Sequence, residues 1–136
     1  MEVGKQPQIR LEDIKSLPIK MVEDKRQLPF IKIANYILNS KRNNNIIHSL
    51  FFELIIDALV YELYFPEDIR MADCELQTHL VHLSELKDYW SDSKKQHVIE
   101  EAYYELSDPK HPVSIAMLGI KQIPEVKIIE GSGSIN

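Results

Sequence analysis

The pattern of apolar and polar positions predicts a bundle of helices around one central helix. Residues 46–65 are apolar nearly all round, with Ser49, Glu53 and Asp57 spaced by four on one narrow polar line. A helix that is apolar on most sides has to be surrounded by other elements. We therefore expect this helix to be the hub of the fold.

Further helices are predicted on both sides of the hub. One begins near Pro29, since proline suits the first helical position. Its apolar stripe comprises Phe30, Ile33, Ala34, Ile37 and Leu38. Asn43-Asn44-Asn45 predicts the reversal between this helix and the hub. A third helix opens at Pro66, and its seam is formed by Ile69, Ala72, Leu76, Leu80 and Leu83.

The remaining helices follow recognisable start signals. Ser91-Asp92-Ser93 can cap a fourth helix, because these side chains accept hydrogen bonds from free amides at a helix start. His111-Pro112 opens a short helical piece that ends near Gly119. The expected fold class is thus mainly all-α, a bundle of four to five helices.

The two ends of the chain are predicted to be extended. Residues 1–24 show no full helical face, and Ile9-Arg10-Leu11 indicates a short strand. After Pro124, the run Val126–Ile129 is a candidate carboxyl-terminal strand that can pair with this arm. The predicted organisation is an extended arm over 1–24, a helical domain over 25–130 and a flexible tail over 131–136.

Composition narrows the classes of function. The chain has 16 basic and 21 acidic residues and a formal charge of −5, which disfavours strong DNA binding by this chain alone. Its one cysteine, Cys74, excludes an internal disulfide and fits a reducing, cytoplasmic location, with the thiol expected to be inert and partly buried. Because Glu53, Asp57 and Glu62 interrupt the most apolar run, we expect no membrane span.

Candidate chemistry is sparse. His79 and His82 would share one face of the predicted third helix, where Asp73, Glu75 or Glu85 could complete a metal site. Surface or capping roles for both histidines are the simpler interpretation. With only four glycines, the chain also lacks a phosphate-binding loop.

Two groups on the hub helix also invite a functional interpretation. Glu53 and Asp57 could form an acid–base pair if enclosed, although anchoring the helix is the simpler role for them. Tyr61, Tyr64 and Phe65 could stack on bases, but their spacing is more typical of core and rim positions. We accordingly expect no catalytic, cofactor-binding or metal-binding residues in this chain.

Three phrases of the chain, in order, resemble one known family. They are GKQPQIRLEDIKSLPIK, FFELIIDALVYELYFPEDI and SDPKHPVSIAMLGIKQIPEVKIIEG, and they extend over nearly the whole chain. They resemble the carboxyl-terminal region of bacterial type II restriction-modification enzymes with an adenine-specific DNA methyltransferase. The most specific part is Ile56–Tyr64, which is similar to the helix that follows the target-recognition region in that family.

The resemblance implies a parent enzyme that transfers a methyl group from S-adenosylmethionine to adenine, in some members with a magnesium-dependent nuclease attached. Neither the Asn-Pro-Pro-Tyr/Phe motif nor a glycine-rich cofactor loop is present, so no catalytic or cofactor residue can be assigned here. Residues 1–24 would end the target-recognition region, and the helices would pack behind it. Arg10, Lys41 and Arg42 would contact the DNA backbone.

On this interpretation the partners are the preceding domains of the same polypeptide and, through the parent enzyme, DNA. The alternative is a stand-alone helical interaction protein whose exposed seam at Leu76, Leu80 and Leu83 binds a partner helix or a second copy of the chain. A small metal-dependent enzyme using His79 and His82 is the third hypothesis. A reading frame that continues upstream through a methyltransferase motif would favour the first hypothesis.

Overall fold

The computed structural model describes residues 24–134, which form an all-helical bundle with no strand among them. The six helices are α1 (Asp24–Arg42), α2 (Ile46–Tyr64), α3 (Pro66–Met71), α4 (Asp92–Ser107), α5 (Pro112–Lys121) and α6 (Pro124–Ser134). A single 3-10 turn, Gln77–His79, lies between α3 and α4. The predicted fold class is confirmed. The predicted arm, with its strand at residues 9–11, lies outside the described residues.

The first two helices form an antiparallel hairpin, as the asparagine triplet predicts. Asn44 has a φ of 57°, a left-handed conformation that asparagine tolerates better than most residues. The Asn45 side chain accepts a hydrogen bond from the His48 N–H at 3.0 Å and so caps α2. The Asn45 N–H in turn donates to the Ser40 carbonyl at 2.8 Å, which closes the reversal.

Helix α1 begins at Asp24, earlier than the predicted start at Pro29. Pro29 therefore lies inside the helix. It lacks an N–H, but only one turn precedes it, so the helix loses a single hydrogen bond near its end. The predicted apolar stripe is largely correct, because Phe30, Ile33 and Ile37 are buried. Leu38, however, is 43% exposed and lies on the other side of the helix.

Helix α2 is the centre of the bundle, as its composition predicts. It packs along α1 and also contacts α3, α4 and α5. Phe52, Ile55, Ile56 and Leu59 are almost fully buried between these neighbours. Near its amino end, however, α2 has neighbours on one side only, so Ile46, Ile47, Leu50 and Leu54 are exposed.

The third predicted helix is wrong beyond Met71. There the chain forms a Schellman motif, in which the Asp73 N–H donates to the Arg70 carbonyl and the Cys74 N–H to the Ile69 carbonyl. Asp73 takes the left-handed position of this motif, with a φ of 56°. Glycine usually occupies that position, so the sequence contains no obvious stop signal.

The predicted exposed seam is also wrong, because its leucines belong to the core. Leu76, Leu80 and Leu83 are 0%, 0% and 5% exposed. They lie in an irregular segment, residues 72–91, which we call the connecting segment. A partner helix or a second copy of the chain therefore cannot bind at these leucines without opening the bundle.

Side chains of the hairpin satisfy the backbone of the connecting segment. A carboxylate oxygen of Glu62 accepts from the Gln77 N–H at 3.1 Å. Lys32 Nζ donates to the Val81 carbonyl at 3.1 Å, and the Tyr36 hydroxyl donates to the Ser84 carbonyl at 2.6 Å. These side chains supply backbone partners that a helix would otherwise provide, in addition to the turn hydrogen bonds within the segment.

The start signals of the later helices are confirmed. Ser91 Oγ accepts from the Lys94 N–H at 3.1 Å and caps α4, whose buried residues are Ile99, Ala102 and Leu106. At the start of α5, His111 Nδ1 accepts from the Val113 N–H at 3.0 Å, and Pro112 follows directly. Gly119 lies inside α5, where an added Cβ would be 2.9 Å from the Cβ of Cys74.

The predicted carboxyl-terminal strand at Val126–Ile129 is wrong, because this run belongs to α6. Pro124 and the acidic Glu125 suit a helix start, and Val126 is fully buried. Glu130, four residues later on the same side, accepts a hydrogen bond from the Tyr61 hydroxyl at 3.1 Å. Helix α6 continues to Ser134, through the first residues of the segment predicted as a tail.

Candidate functional site

The structure describes two of the three predicted DNA contacts. Lys41 and Arg42 are both exposed in the last turn of α1, and Arg10 lies outside the described residues. Lys41 Nζ is 3.0 Å from a carboxylate oxygen of Glu53 on α2. A basic residue at a helix carboxyl end also interacts favourably with the helix dipole. Lys41 thus has a structural role, and its contact with DNA stays a prediction.

The two candidate metal ligands do not share a helix face. His79 ends the 3-10 turn, and His82 lies beyond it with Nε2 3.2 Å from Glu105 Oε2. The same carboxylate oxygen is 3.4 Å from His111 Nε2. Over residues 24–134, no group of three or more His, Cys, Asp or Glu side chains is arranged to hold a metal ion.

The contact between His111 and Glu105 has a clear structural explanation. Because His111 Nδ1 accepts from the Val113 N–H, the neutral ring carries its proton on Nε2 and directs it toward Glu105. Glu105 on α4 thereby joins the connecting segment, through His82, to the start of α5. This cluster connects three elements of the bundle.

The polar and aromatic side chains of α2 have structural partners. Glu53 pairs with Lys41 on α1, which fits the simpler, anchoring role expected of it. Tyr61 is buried beside Glu130, and burial followed by the Glu130 charge raises the pKa of its phenol. Tyr64 is 63% exposed and Phe65 is half-buried, so the three aromatic side chains do not form one exposed platform.

Cys74 is a buried thiol, as predicted. It is 3% exposed, and its Sγ lies 3.6 Å from the Ile69 carbonyl. Burial raises the pKa of this thiol, and the nearby Glu62 carboxylate raises it further. Since the thiolate is the reactive form, both effects lower its reactivity.

One surface of the hairpin is apolar although it faces solvent. On α1, Leu28, Ile31 and Leu38 are 53%, 49% and 43% exposed. On α2, Ile46, Leu50 and Leu54 are 67%, 54% and 49% exposed. We call these six residues the hairpin outer face. Their spacing places them on the sides of the two helices that point away from the core.

The ion pair between Lys41 and Glu53 shows that the two stripes are neighbours. It crosses from α1 to α2 at one point of the hairpin. Leu38 lies one turn before Lys41, and Leu50 lies one turn before Glu53. Apolar side chains of both helices therefore flank the same ion pair.

A polar cleft lies where the α1–α2 reversal meets α4. Its volume is about 100 Å³. The lining residues are Asn39, Ser40, Asn43, Asn45, His48, Gln96, Ile99 and Glu100, and we call it the asparagine cleft. Residues from three parts of the chain meet here, which sequence reasoning missed. The asparagine triplet is the only sequence signal near this cleft, and the signal that it gives is for a turn.

Hydrogen bonds fix several of the side chains in the cleft. Asn43 Nδ2 donates to the Asn39 carbonyl at 2.9 Å and to Asn39 Oδ1 at 3.1 Å. Ser40 is 3% exposed, and its Oγ has no hydrogen-bond partner among residues 24–134. His48 packs against the Tyr103 ring with centroids 4.5 Å apart. Burial lowers the pKa of His48, although the Glu100 charge opposes this.

Among the described residues, the hairpin outer face and the asparagine cleft are two candidate binding surfaces. The outer face suits packing against a protein surface, because large exposed apolar patches usually mark such contacts. No helix in the described part of the chain is long and apolar enough to cross a membrane. Comparisons of the chain with family models, curated proteins and solved structures found no match.

Proposed function

We propose that this chain is a non-catalytic helical domain at the carboxyl end of a restriction-modification enzyme that methylates adenine in DNA. The domain packs against the preceding part of the same polypeptide and holds the target-recognition region in place. The hairpin outer face carries this proposal, together with the three ordered phrases that resemble the family.

The exposure of the outer face is the physical argument for a packing partner. Six large apolar side chains, each 43–67% exposed, lie on two adjacent helices. Burying them against another surface is favourable, at roughly 25 cal/mol for each Å² of apolar surface removed from water. Lys41, Arg42 and Glu53 border the face, and a polar rim around an apolar centre is typical of protein interfaces.

The position of the basic pair connects this packing with DNA. Arg42 lies one turn beyond Leu38, at the edge of the outer face, and is exposed. A recognition region docked on the face would bring its bound DNA toward this edge. Of the two described cations, Arg42 is the better phosphate contact, because Glu53 already compensates the charge of Lys41.

The second candidate is a stand-alone helical interaction module. A partner of this module cannot bind at Leu76, Leu80 and Leu83, because these residues are buried. The hairpin outer face is exposed and can provide the binding surface. On that hypothesis the isolated chain would self-associate through Leu50 and Leu54 or bind a partner helix there. Sedimentation of the isolated chain distinguishes the two candidates, because reversible dimerisation lost in Leu50→Glu/Leu54→Glu would favour the module.

The main test uses the complete polypeptide encoded by the reading frame. We expect Leu50→Glu/Leu54→Glu to lower methyl transfer from S-adenosylmethionine to DNA adenine at least tenfold. Tyr89→Glu/Ile115→Glu, which changes exposed side chains outside the hairpin, should leave methyl transfer unchanged. In DNA-binding titrations of the same polypeptide at several salt concentrations, Arg10→Ala/Lys41→Ala/Arg42→Ala should weaken DNA binding and flatten its salt dependence.

Three results would contradict the proposal in whole or in part. One is an upstream sequence without a methyltransferase motif. Another is equal methyl transfer by the outer-face variant and its control. The third is unchanged DNA affinity and salt dependence in the triple alanine variant, which would refute the assigned DNA contacts alone. Thermal unfolding of each isolated domain variant verifies that the bundle stays folded.

A further inference from the structure

We propose that the asparagine cleft binds a guanidinium group, presented by an arginine side chain of a partner or by a small guanidino compound. This inference is independent of the function proposed above. It rests on the size of the cleft, on the hydrogen-bonding groups that line it and on the charges around it.

The cleft has room for a small planar group. Its volume of about 100 Å³ exceeds the roughly 10–15 Å³ that one water molecule needs on this measure. A guanidinium group is planar and has four heavy atoms, so it fits where a larger ring system would not. The ring of His48, supported by Tyr103, provides a flat surface in the cleft.

The lining of the cleft offers acceptors. Asn43 Nδ2 donates to two oxygen atoms of Asn39, and Asn43 Oδ1 is an acceptor. The carboxylate of Glu100 can only accept. A guanidinium group, which provides five N–H groups and no acceptor, complements these two acceptors.

Ser40 adds an independent observation. Its side chain is more than nine-tenths buried at the cleft, and its Oγ has no partner among residues 24–134. An unpaired buried hydroxyl is unfavourable, and Ser40 Oγ would gain a hydrogen bond if a bound donor came within reach of it. No other side-chain N or O atom in the described part of the chain is both buried and unpaired.

The charges around the cleft favour a cation over an anion. Glu100 is the one charged residue among those that line the cleft, which is bordered by both the carboxyl end of α1 and the amino end of α2. Burial lowers the pKa of His48, which disfavours a charged ring that would repel a cation, although the Glu100 charge opposes this shift. Lys41, in the same turn of α1, is held by Glu53 on the neighbouring helix.

The test is an NMR titration of the folded chain with methylguanidinium, with urea and methylammonium as comparators. We expect saturable shifts at the amides of Asn43, His48, Gln96 and Glu100. Urea has the planar shape without the charge, and methylammonium has the charge without the planar fork. Both should therefore bind at least tenfold more weakly than methylguanidinium.

Matched variants test whether the cleft itself is responsible. Glu100→Gln should weaken methylguanidinium binding about tenfold, since it removes a charged acceptor. Glu101→Gln, at the next position of α4 and paired with His97 on the surface, should leave binding unchanged. Ser40→Ala should weaken binding without lowering the thermal stability, because it removes an unpaired hydroxyl.

The proposal is overturned if methylguanidinium causes no saturable shift, or if urea binds as tightly. Equal binding by the Glu100→Gln and Glu101→Gln variants would also overturn it, because it would indicate general denaturant action. Arginine blocked at both ends distinguishes the two sources of the group. Tighter binding of blocked arginine than of methylguanidinium supports a protein partner, and equal binding supports a small guanidino compound.

Discussion

The α1–α2 hairpin and the connecting segment have similar apolar spacing but different backbones. Both place large apolar residues three and four positions apart, a pattern typical of helices. The hairpin forms two regular 19-residue helices, whereas the connecting segment contains one 3-10 turn and otherwise irregular chain. In both regions the core side chains are nevertheless fully buried.

The difference lies in where the backbone hydrogen bonds go. In the hairpin, the backbone N–H and C=O groups pair with each other within each helix. In the connecting segment, Lys32, Tyr36 and Glu62 of the hairpin bond to the backbone directly. The comparison teaches that apolar spacing alone does not decide the backbone conformation, which also depends on the polar partners that are available.

The largest expected effect comes from the buried side of the hairpin. Phe52 is fully buried and contacts the ring of Tyr36 edge-on, with centroids 5.3 Å apart. We expect Phe52→Ala to lower the free energy of unfolding by about 3–5 kcal/mol, since it leaves a cavity. Leu50→Ala, on the outer face, should change it by less than about 0.5 kcal/mol. Urea denaturation measures both, and similar losses would show that the two sides of α2 are not distinct.

High pH should weaken the junction between the hairpin and the connecting segment. Burial raises the pKa of Tyr36 to about 12 from its ordinary 10.0, and Glu105 contributes to the rise. Between these values the unfolded chain has lost the proton and the folded chain has kept it. The free energy of unfolding should therefore fall as pH rises through this window, by up to about 3 kcal/mol.

Denaturation at a series of pH values measures this loss. Tyr61 should add to it, because its pKa is raised too. Tyr36→Phe removes one ionising phenol and should flatten the dependence on pH, although it also removes the bond to Ser84. An unchanged slope in Tyr36→Phe would exclude Tyr36 as a cause.

A smaller effect is expected where the connecting segment begins against α5. In Gly119→Ala the new Cβ would be 2.9 Å from Cys74 Cβ, a contact that forces one of the elements to move. We expect a loss of about 1–2 kcal/mol, even though alanine is the better helix former. Differential scanning calorimetry of the domain measures the change.

Two substitutions of Cys74 locate the clash. Cys74→Ala keeps the Cβ and should not relieve the Gly119→Ala variant. Cys74→Gly removes the Cβ and should show a favourable coupling with Gly119→Ala in a double-mutant cycle. Absence of coupling would mean that α5 and the connecting segment are not in close contact at this point.

Local signals made much of the fold predictable. The apolar residues of α2, the asparagine reversal and the Ser91 cap each determine structure through neighbouring residues. The end of α3 was missed because Asp73, not glycine, takes the left-handed position. The strand predicted at Val126–Ile129 reflects the local strand preference of valine and isoleucine. The contact between Tyr61 and Glu130 of α6 is tertiary, so neighbouring residues give no signal for it.

The candidate sites were less predictable than the fold. The asparagine cleft combines Asn39 and Asn43 with Gln96 and Glu100, and only the packing of α1 against α4 brings these residues together. The outer face was missed for another reason. Leu38 continues the buried stripe in sequence, and its exposure depends on which side of α1 meets the other helices.

The single thiol can be used to measure transient local opening of the bundle. Cys74 is enclosed by the turn after α3 and by Gly119 of α5, so a bulky thiol reagent reaches it only when these two elements separate. The rate at which Cys74 is labelled under native conditions therefore depends on how often these two elements separate. No engineered probe is needed to follow how occupation of either candidate surface tightens or loosens the bundle.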